Sequence, residues 1–253
     1  MKKALDRFSI QSKIYKDHRP TYPEVLLKYI YSFCDAMNTC WDCGTGNGQV
    51  AALLSNSFDQ VFATDISQQQ IKNAITKPNI HYSVQRAEKT TFQDHYFDLI
   101  TVAQAVHWFD LTSFNKEVNR VLKPNGIIAI WGYGLLKINP EIDAIVNHFY
   151  QHIIGEYWDK ERDYIDQNYS TILFNFNEID LEKTFKIETQ WTIDQLQGYF
   201  NSWSSVQNYK DKNKGNNPVE QLIKDITPKW NTWQHQITFP IFIRIGTPIN
   251  NKI

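Results

Sequence analysis

Between residues 39 and 133 short apolar, β-branched segments alternate with segments of helical spacing. NTCWDCG reads as a buried strand, QVAALLSNSF as the helix after it, and QVFATDIS as a second strand. SQQQIKNAIT is a helix capped by Ser67, and IHYSVQRAE and FDLITVAQAV have strand composition. FNKEVNRVL is amphipathic and ended by KPNG, and GIIAIWGY is a further strand. Strands that alternate with helices join through right-handed crossovers. They therefore form a parallel sheet covered on both faces.

The flanks read differently. VLLKYIYSF follows Pro23, which stands where a helix would begin. After Gly134, EIDAIVNHFYQHIIGEYW and TIDQLQGYFNSW have helical spacing, the second opened by Thr192 or Asp194. FKIETQWT and ITFPIFIRIGT read as strands, with Pro240 marking an edge or a bulge in the last one. NYKDKNKGNNP, residues 208–218, reads as a solvated loop.

Composition narrows the partners. A formal net charge of -1 gives no electrostatic case for nucleic acid or an anionic membrane. The longest apolar runs, such as GIIAIWGYGLL, fall short of the roughly 20 residues that cross a bilayer. Three cysteines cannot all pair within the chain, and no signal peptide precedes Lys2 and Lys3, so a reducing cytoplasm is expected. Aromatic residues make up 14% of the chain, with 8 Trp and 13 Tyr, enough to wall a cavity as well as to fill a core.

In an open parallel sheet, ligands bind beyond the carboxyl ends of the strands where strand order reverses. Gly44, Gly46 and Gly48 lie in the first strand-to-helix turn, where bare backbone approaches a ligand closely. A dinucleotide fingerprint would need its third glycine at Gln49, and that position fails. What stands there is Asp42-x-Gly44-x-Gly46-x-Gly48, with Asp65 about twenty residues on, where an acid would meet a ribose diol. Cys40 and Cys43 suggest redox or zinc chemistry at first sight. Yet they lie on a strand rather than at a helix start, with no second ligand pair at metal spacing, so no metal is expected and both read as small buried residues.

Asp42 to Gly48 resembles motif I of the class I S-adenosylmethionine-dependent methyltransferases, and Asp65 resembles their ribose-binding acid. The similarity continues in order through Ala87-Glu88, FDLITVAQAVHWF and RVLKPNG, which is similar to the family's RVLKPGG. YKDHRPTYP (residues 15–23), HWFD and WTIDQLQGYFNSWSS resemble the trans-aconitate methyltransferase-like branch. Two positions depart. Arg86 stands where the family often carries an acid for the adenine amine, leaving Glu88 or Gln104 as substitutes. Asn125 replaces a glycine, a change Asn tolerates because it accepts positive φ.

The pattern and the resemblance together imply a Rossmann-like, doubly wound, seven-stranded, mostly parallel α/β sheet with an antiparallel last strand and a helical cap insertion. One domain would span 1–253: an N-terminal lid segment 1–30, a cofactor-binding core 31–134, a cap region 135–220 and a strand-bearing segment 221–253 that completes the sheet. The resemblance implies S-adenosylmethionine as cofactor, held by Asp42, Gly44, Gly46, Gly48, Asp65, Ile66, Ala87, Glu88 and Gln104. It implies O-methylation of a small metabolite, with a carboxylate-bearing one suggested by the branch. Tyr15, Arg19 and His107 are candidate catalytic groups, and Tyr22, Trp108 and Trp131 candidate walls of the acceptor site. A carboxylate acceptor is ionised at neutral pH and needs no base, and Arg19 could then grip a second carboxylate; a hydroxyl acceptor would make His107 the base.

Each assignment has a plainer rival. Asp65 could cap the next helix, Glu88 could be a surface acid, His107 a core hydrogen-bonder and Arg19 a structural ion pair. Tyr15, Trp108 and Trp131 could simply pack. The rival functions are a cofactor-binding protein without turnover and a nicotinamide-dependent oxidoreductase.

Overall fold

A computed structural model of the chain describes residues 20–249, so Tyr15 and Arg19 lie outside the described residues. The strands are β1 (Thr39–Cys43), β2 (Gln60–Asp65), β3 (Ile80–Val84), β4 (Phe97–Ala103), β5 (Leu122–Tyr133), β6 (Asn177–Glu178), β7 (Phe185–Trp191) and β8 (His235–Thr247). They form one sheet in the order β3-β2-β1-β4-β5-β8-β6, with β7 also paired to β8. β1 to β5 run parallel, and β8 runs against β5. β7 and the two-residue β6 share the outer edge of β8. The seven expected strands are all present, and β6 is the one too short to leave a sequence signal.

Sequence order reverses between β1 and β4, which opens a crevice at their carboxyl ends. Side chains of β5 alternate between two cores, as a strand's twofold period demands: Ala129 and Trp131 join one layer, Ile128 and Ile130 the other. β4 is buried from Phe97 to Val102, hence its mostly apolar reading, broken by Asp98 and Thr101.

The helices are α1 (Glu24–Tyr31), α2 (Gln49–Leu54), α3 (Gln68–Lys72), α4 (Leu111–Val121), α5 (Pro140–His148), α6 (Arg162–Asp166), α7 (Ile193–Asn201), α8 (Ser204–Lys212) and α9 (Val219–Ile226). Ser67 does cap α3, accepting from Gln70 N at 3.3 Å, and Thr192 with Gln195 forms a capping box on α7. None of the helices among the described residues is long and apolar enough to cross a membrane.

Four local expectations are corrected. KPNG is not a turn between helix and strand: α4 ends at Val121, β5 begins at Leu122, and the β4–β5 register slips between Phe97 and Leu99. Pro124 forbids a longer helix, and Asn125 is not among the positive-φ residues, so it fills no glycine role. The long helix expected over 141–158 breaks after α5 into a π turn, Phe149–Ile153, and a 3-10 turn, Gly155–Tyr157. The wider turn brings the adjacent Phe149 and Tyr150 both inward against Trp203, at 6.5 and 5.8 Å between ring centres. Residues 208–212 belong to α8 rather than a loop, because Tyr209 stacks on Tyr157 at 4.9 Å and Asn208 donates to the Tyr157 carbonyl at 2.9 Å. Pro240 lies inside β8, opposite Lys186 of β7 with no break in register; its carbonyl accepts from Gly134 N just beyond the end of β5, and its missing N–H leaves that pair without the reciprocal bond.

Candidate active site

The turn after β1 is bound to β2 by its backbone, since Gly44 N and Thr45 N both donate to Thr64 O at 2.9 Å. Gly44, Gly46 and Gly48 take φ of +70°, +56° and +80°, a region costly for side-chain-bearing residues. A Cβ on Gly44 would strike Ala105 and one on Gly48 the Tyr82 hydroxyl, whereas one on Gly46 would meet nothing within 4 Å. Gly46 thus faces open space, and its neighbours pack.

Asp65, at the end of β2, reaches back to this turn. Its Oδ2 accepts from Gly46 N at 2.9 Å and its Oδ1 from Ser67 N at 2.8 Å. Ser67, not Asp65, is the side-chain cap of α3. Between them Asn47 is only 6% exposed, and its Nδ2 has no hydrogen-bond partner among the described residues. Such an unsatisfied buried donor costs on the order of 1–3 kcal/mol unless a ligand accepts from it. Ile66 lies beside Asp65 with 38% of its surface exposed, unusual for a large apolar residue here.

Asp42 lies beneath the turn, 1% exposed, and accepts from Thr45 Oγ1 at 2.5 Å and Thr101 Oγ1 at 2.9 Å. Burial raises its carboxyl to about 6, against the opposing pull of the two hydroxyls. It braces the turn from below and reaches no cleft surface. Cys40 and Cys43 are fully buried, and burial pushes both thiols well above the ordinary range, which leaves them inert packing.

Across the crevice, Gln104 follows β4 at φ +54°. Its N donates to Trp131 O at 2.9 Å and its Nε2 to Tyr133 O at 3.1 Å, so neighbouring β5 fixes this uncommon conformation. Ala87 is buried at 5%. Glu88 accepts from Asp110 N at 3.0 Å and pairs with Arg86 Nε at 3.2 Å, tying the turn after β3 to the start of α4.

Beyond Gln104 a cavity of about 70 Å³ lies between the ends of β4 and β5 and the helices above them. Gln104, His107, Trp108, Tyr133 and Gly134 form one side; Trp158, Arg162, Tyr199 and Trp203 form much of the other. A single water needs about 10–15 Å³, so the space has room for several water-sized groups. His107, 4% exposed, lies 2.8 Å from the Tyr169 hydroxyl through Nδ1, and its ring packs on Trp108 at 5.0 Å. Tyr169 is itself fully buried at φ +60° against Phe242.

Two of the residues expected as acceptor-site walls are not in the lining of this cavity. Trp131 is fully buried in the core, edge-on to Tyr22 at 5.6 Å, because its position on β5 points to the layer opposite Ile130. Tyr22 packs on Trp131 and Tyr133, and neither Tyr22 nor Trp131 lines the cavity. The reading of the sequence missed Arg162, Trp158, Tyr199 and Trp203 as lining. Only the aromatic density around them hinted at it, since Trp158 and Trp203 meet at 5.4 Å by tertiary packing alone.

A methyltransferase-domain family matches residues 41–130. A Dictyostelium discoideum protein named as a methyltransferase is 41% identical over 203 residues, 79% of this chain and 77% of its own length. A Saccharomyces cerevisiae protein named as an S-adenosylmethionine-dependent methyltransferase is 24% identical over 180 residues, covering 66% and 60% of the two chains. A solved structure described as a type II methyltransferase of Anaeromyxobacter dehalogenans superposes with a TM-score of 0.84 at 33% identity, over 91% of this chain and 99% of that one. The nicotinamide-dependent and non-catalytic alternatives give way to these matches. This chain belongs to the class I methyltransferases, enzymes whose cofactor is S-adenosylmethionine.

Proposed function

We propose that the enzyme O-methylates a small, carboxylate-bearing metabolite bound in the cavity beside Gln104. The observation that carries this is the cavity itself: small, walled by aromatic rings, and holding the Arg162 guanidinium. The similarity of HWFD and WTIDQLQGYFNSWSS to the trans-aconitate methyltransferase-like branch supports an acidic acceptor.

The residues of the crevice fit the cofactor. Gly46 offers an open backbone, Asn47 an unsatisfied amide donor, Asp65 an acceptor for ribose hydroxyls and Ile66 an apolar face for a purine. Ala87, Glu88 and Gln104 would flank the base, while Gly44, Gly48 and Asp42 hold the turn in shape. When bound, S-adenosylmethionine supplies an already activated methyl group. The task left to the chain is therefore orientation and exclusion of water, for which half-buried rings such as Trp108 serve. Tyr15 and Arg19 stay in the proposal on their place in the sequence, as contacts from the N-terminal segment.

A second reading has its own observation. The Tyr169 hydroxyl holds His107 Nδ1 and fixes the ring, as a general base for a hydroxyl acceptor would require. Incubation with labelled methyl donor and a panel of small carboxylic acids and phenols, read by mass, separates the two. Methyl esters are expected, with activity kept in His107→Gln. Methyl ethers alone, abolished by His107→Gln, would replace the carboxylate reading with the hydroxyl one.

A further inference from the structure

Arg162 is the cation that the sequence did not mark and the cavity contains. It is 20% exposed and lies beside a ring pair, with its guanidinium carbon 4.7 Å from the centre of Trp158 and 5.3 Å from that of Tyr150. One side of the group is committed: Nε donates to the Tyr150 hydroxyl at 2.6 Å, which in turn donates to Asp166 Oδ1 at 2.7 Å. Burial pushes the Tyr150 hydroxyl above its ordinary range, so it keeps the proton it donates. Asp166 also faces Nε directly at 3.4 Å. Nη1 and Nη2 have no hydrogen-bond partner among the described residues. A guanidinium packed on Trp158 and Tyr150 and pinned through Nε presents those two nitrogens as a preset fork.

The Asp166 ion pair engages only Nε, which leaves the Nη edge of this cavity-lining guanidinium for a further acceptor. Asp159 is the one carboxylate among the described lining residues; it meets Arg162 through its backbone carbonyl, which accepts from Arg162 N at 2.9 Å, and forms no ion pair with it. We infer that Arg162 is the specificity-determining residue of the acceptor site, gripping a planar carboxylate through Nη1 and Nη2 while Tyr150 and Asp166 hold the guanidinium in place. The inference rests on the reading that this cavity takes the methyl acceptor. It assigns to Arg162 the carboxylate grip expected of Arg19, with the anion against Trp158 and Trp203.

Calorimetric titration of the full chain, loaded with S-adenosylhomocysteine, tests it with benzoate against its neutral counterpart benzamide. Benzoate is expected to bind the wild type at least tenfold more tightly than benzamide. Arg162→Gln removes that difference and leaves benzamide within twofold, and Arg162→Lys restores only part, because an ammonium is a point charge without a fork. Tyr150→Phe, which keeps the ring, weakens benzoate a few-fold. S-adenosylhomocysteine affinity stays within twofold in every variant, which reports an intact fold. Equal losses for acid and amide in Arg162→Gln, no loss for the acid, or no binding of either probe to the wild type would each overturn the assignment. If acids bind through Arg162 but none of a panel becomes a methyl ester, the carboxylate-methylation reading fails and the anchor stands.

Discussion

The two walls of the crevice are built on different principles. The cofactor side is mostly backbone: a turn with three left-handed glycines, fixed by Thr64 O from one strand and by the Asp65 carboxylate from its end. The acceptor side is mostly side chain: rings and one guanidinium brought from segments as far apart as Gln104 and Ser204. A backbone cradle recognises what every member of a family shares, whereas a side-chain cavity can change its ligand by single substitutions. The comparison predicts that damage on one side spares the other.

The largest effect falls on the cradle. Gly48→Val would place a branched side chain against Tyr82 at a φ of +80° and should cost on the order of 3 kcal/mol in urea unfolding. A loss below about 1 kcal/mol would mean the turn is pliant rather than fixed.

Next comes Asp42. Its carboxyl, raised to about 6 by burial, binds a proton more tightly in the folded chain than in the unfolded one. Stability from this group is therefore full at low pH and lost as pH rises through about 6, by on the order of 2–3 kcal/mol. Asp42→Asn can keep bonds to Thr45 and Thr101 without the charge, so the variant should gain on the wild type between pH 4 and 7. Parallel unfolding curves across that window would show the carboxylate is not the strained group.

Asp65→Ala should weaken S-adenosylhomocysteine at least tenfold, about 1.4 kcal/mol, in a calorimetric titration, and leave benzoate binding in the acceptor cavity within twofold. An unchanged dissociation constant for the thioether would make Asp65 a mere brace for Gly46 and Ser67. The smallest effect is on the far wall: Tyr169→Phe removes one buried bond to His107 and should cost about 1 kcal/mol of stability with no change in cofactor affinity. A loss of cofactor affinity there would join the two walls into one unit.

The same contrast explains what could be read in advance. The strand–helix alternation, the glycine turn and Asp65 are local patterns of a few residues at fixed spacing, and the parallel sheet and its switch point follow from them. Arg162 carries no such signature, because its meaning comes from Tyr150 twelve residues earlier and from Trp158 and Trp203 packed by tertiary contacts. The face that Trp131 meets was not legible for a related reason: one step along β5 decides it, and composition does not carry that step. Residues 208–212 read as solvated because they are polar, yet Tyr157 recruits them into a helix.

Amide hydrogen exchange with and without S-adenosylhomocysteine is the most direct test of where the cofactor lies. Exchange is predicted to slow most over residues 44–48 and 65–67, the open glycine and the acid that faces it. Saturating ligand that leaves both segments unchanged and protects amides elsewhere would contradict the account.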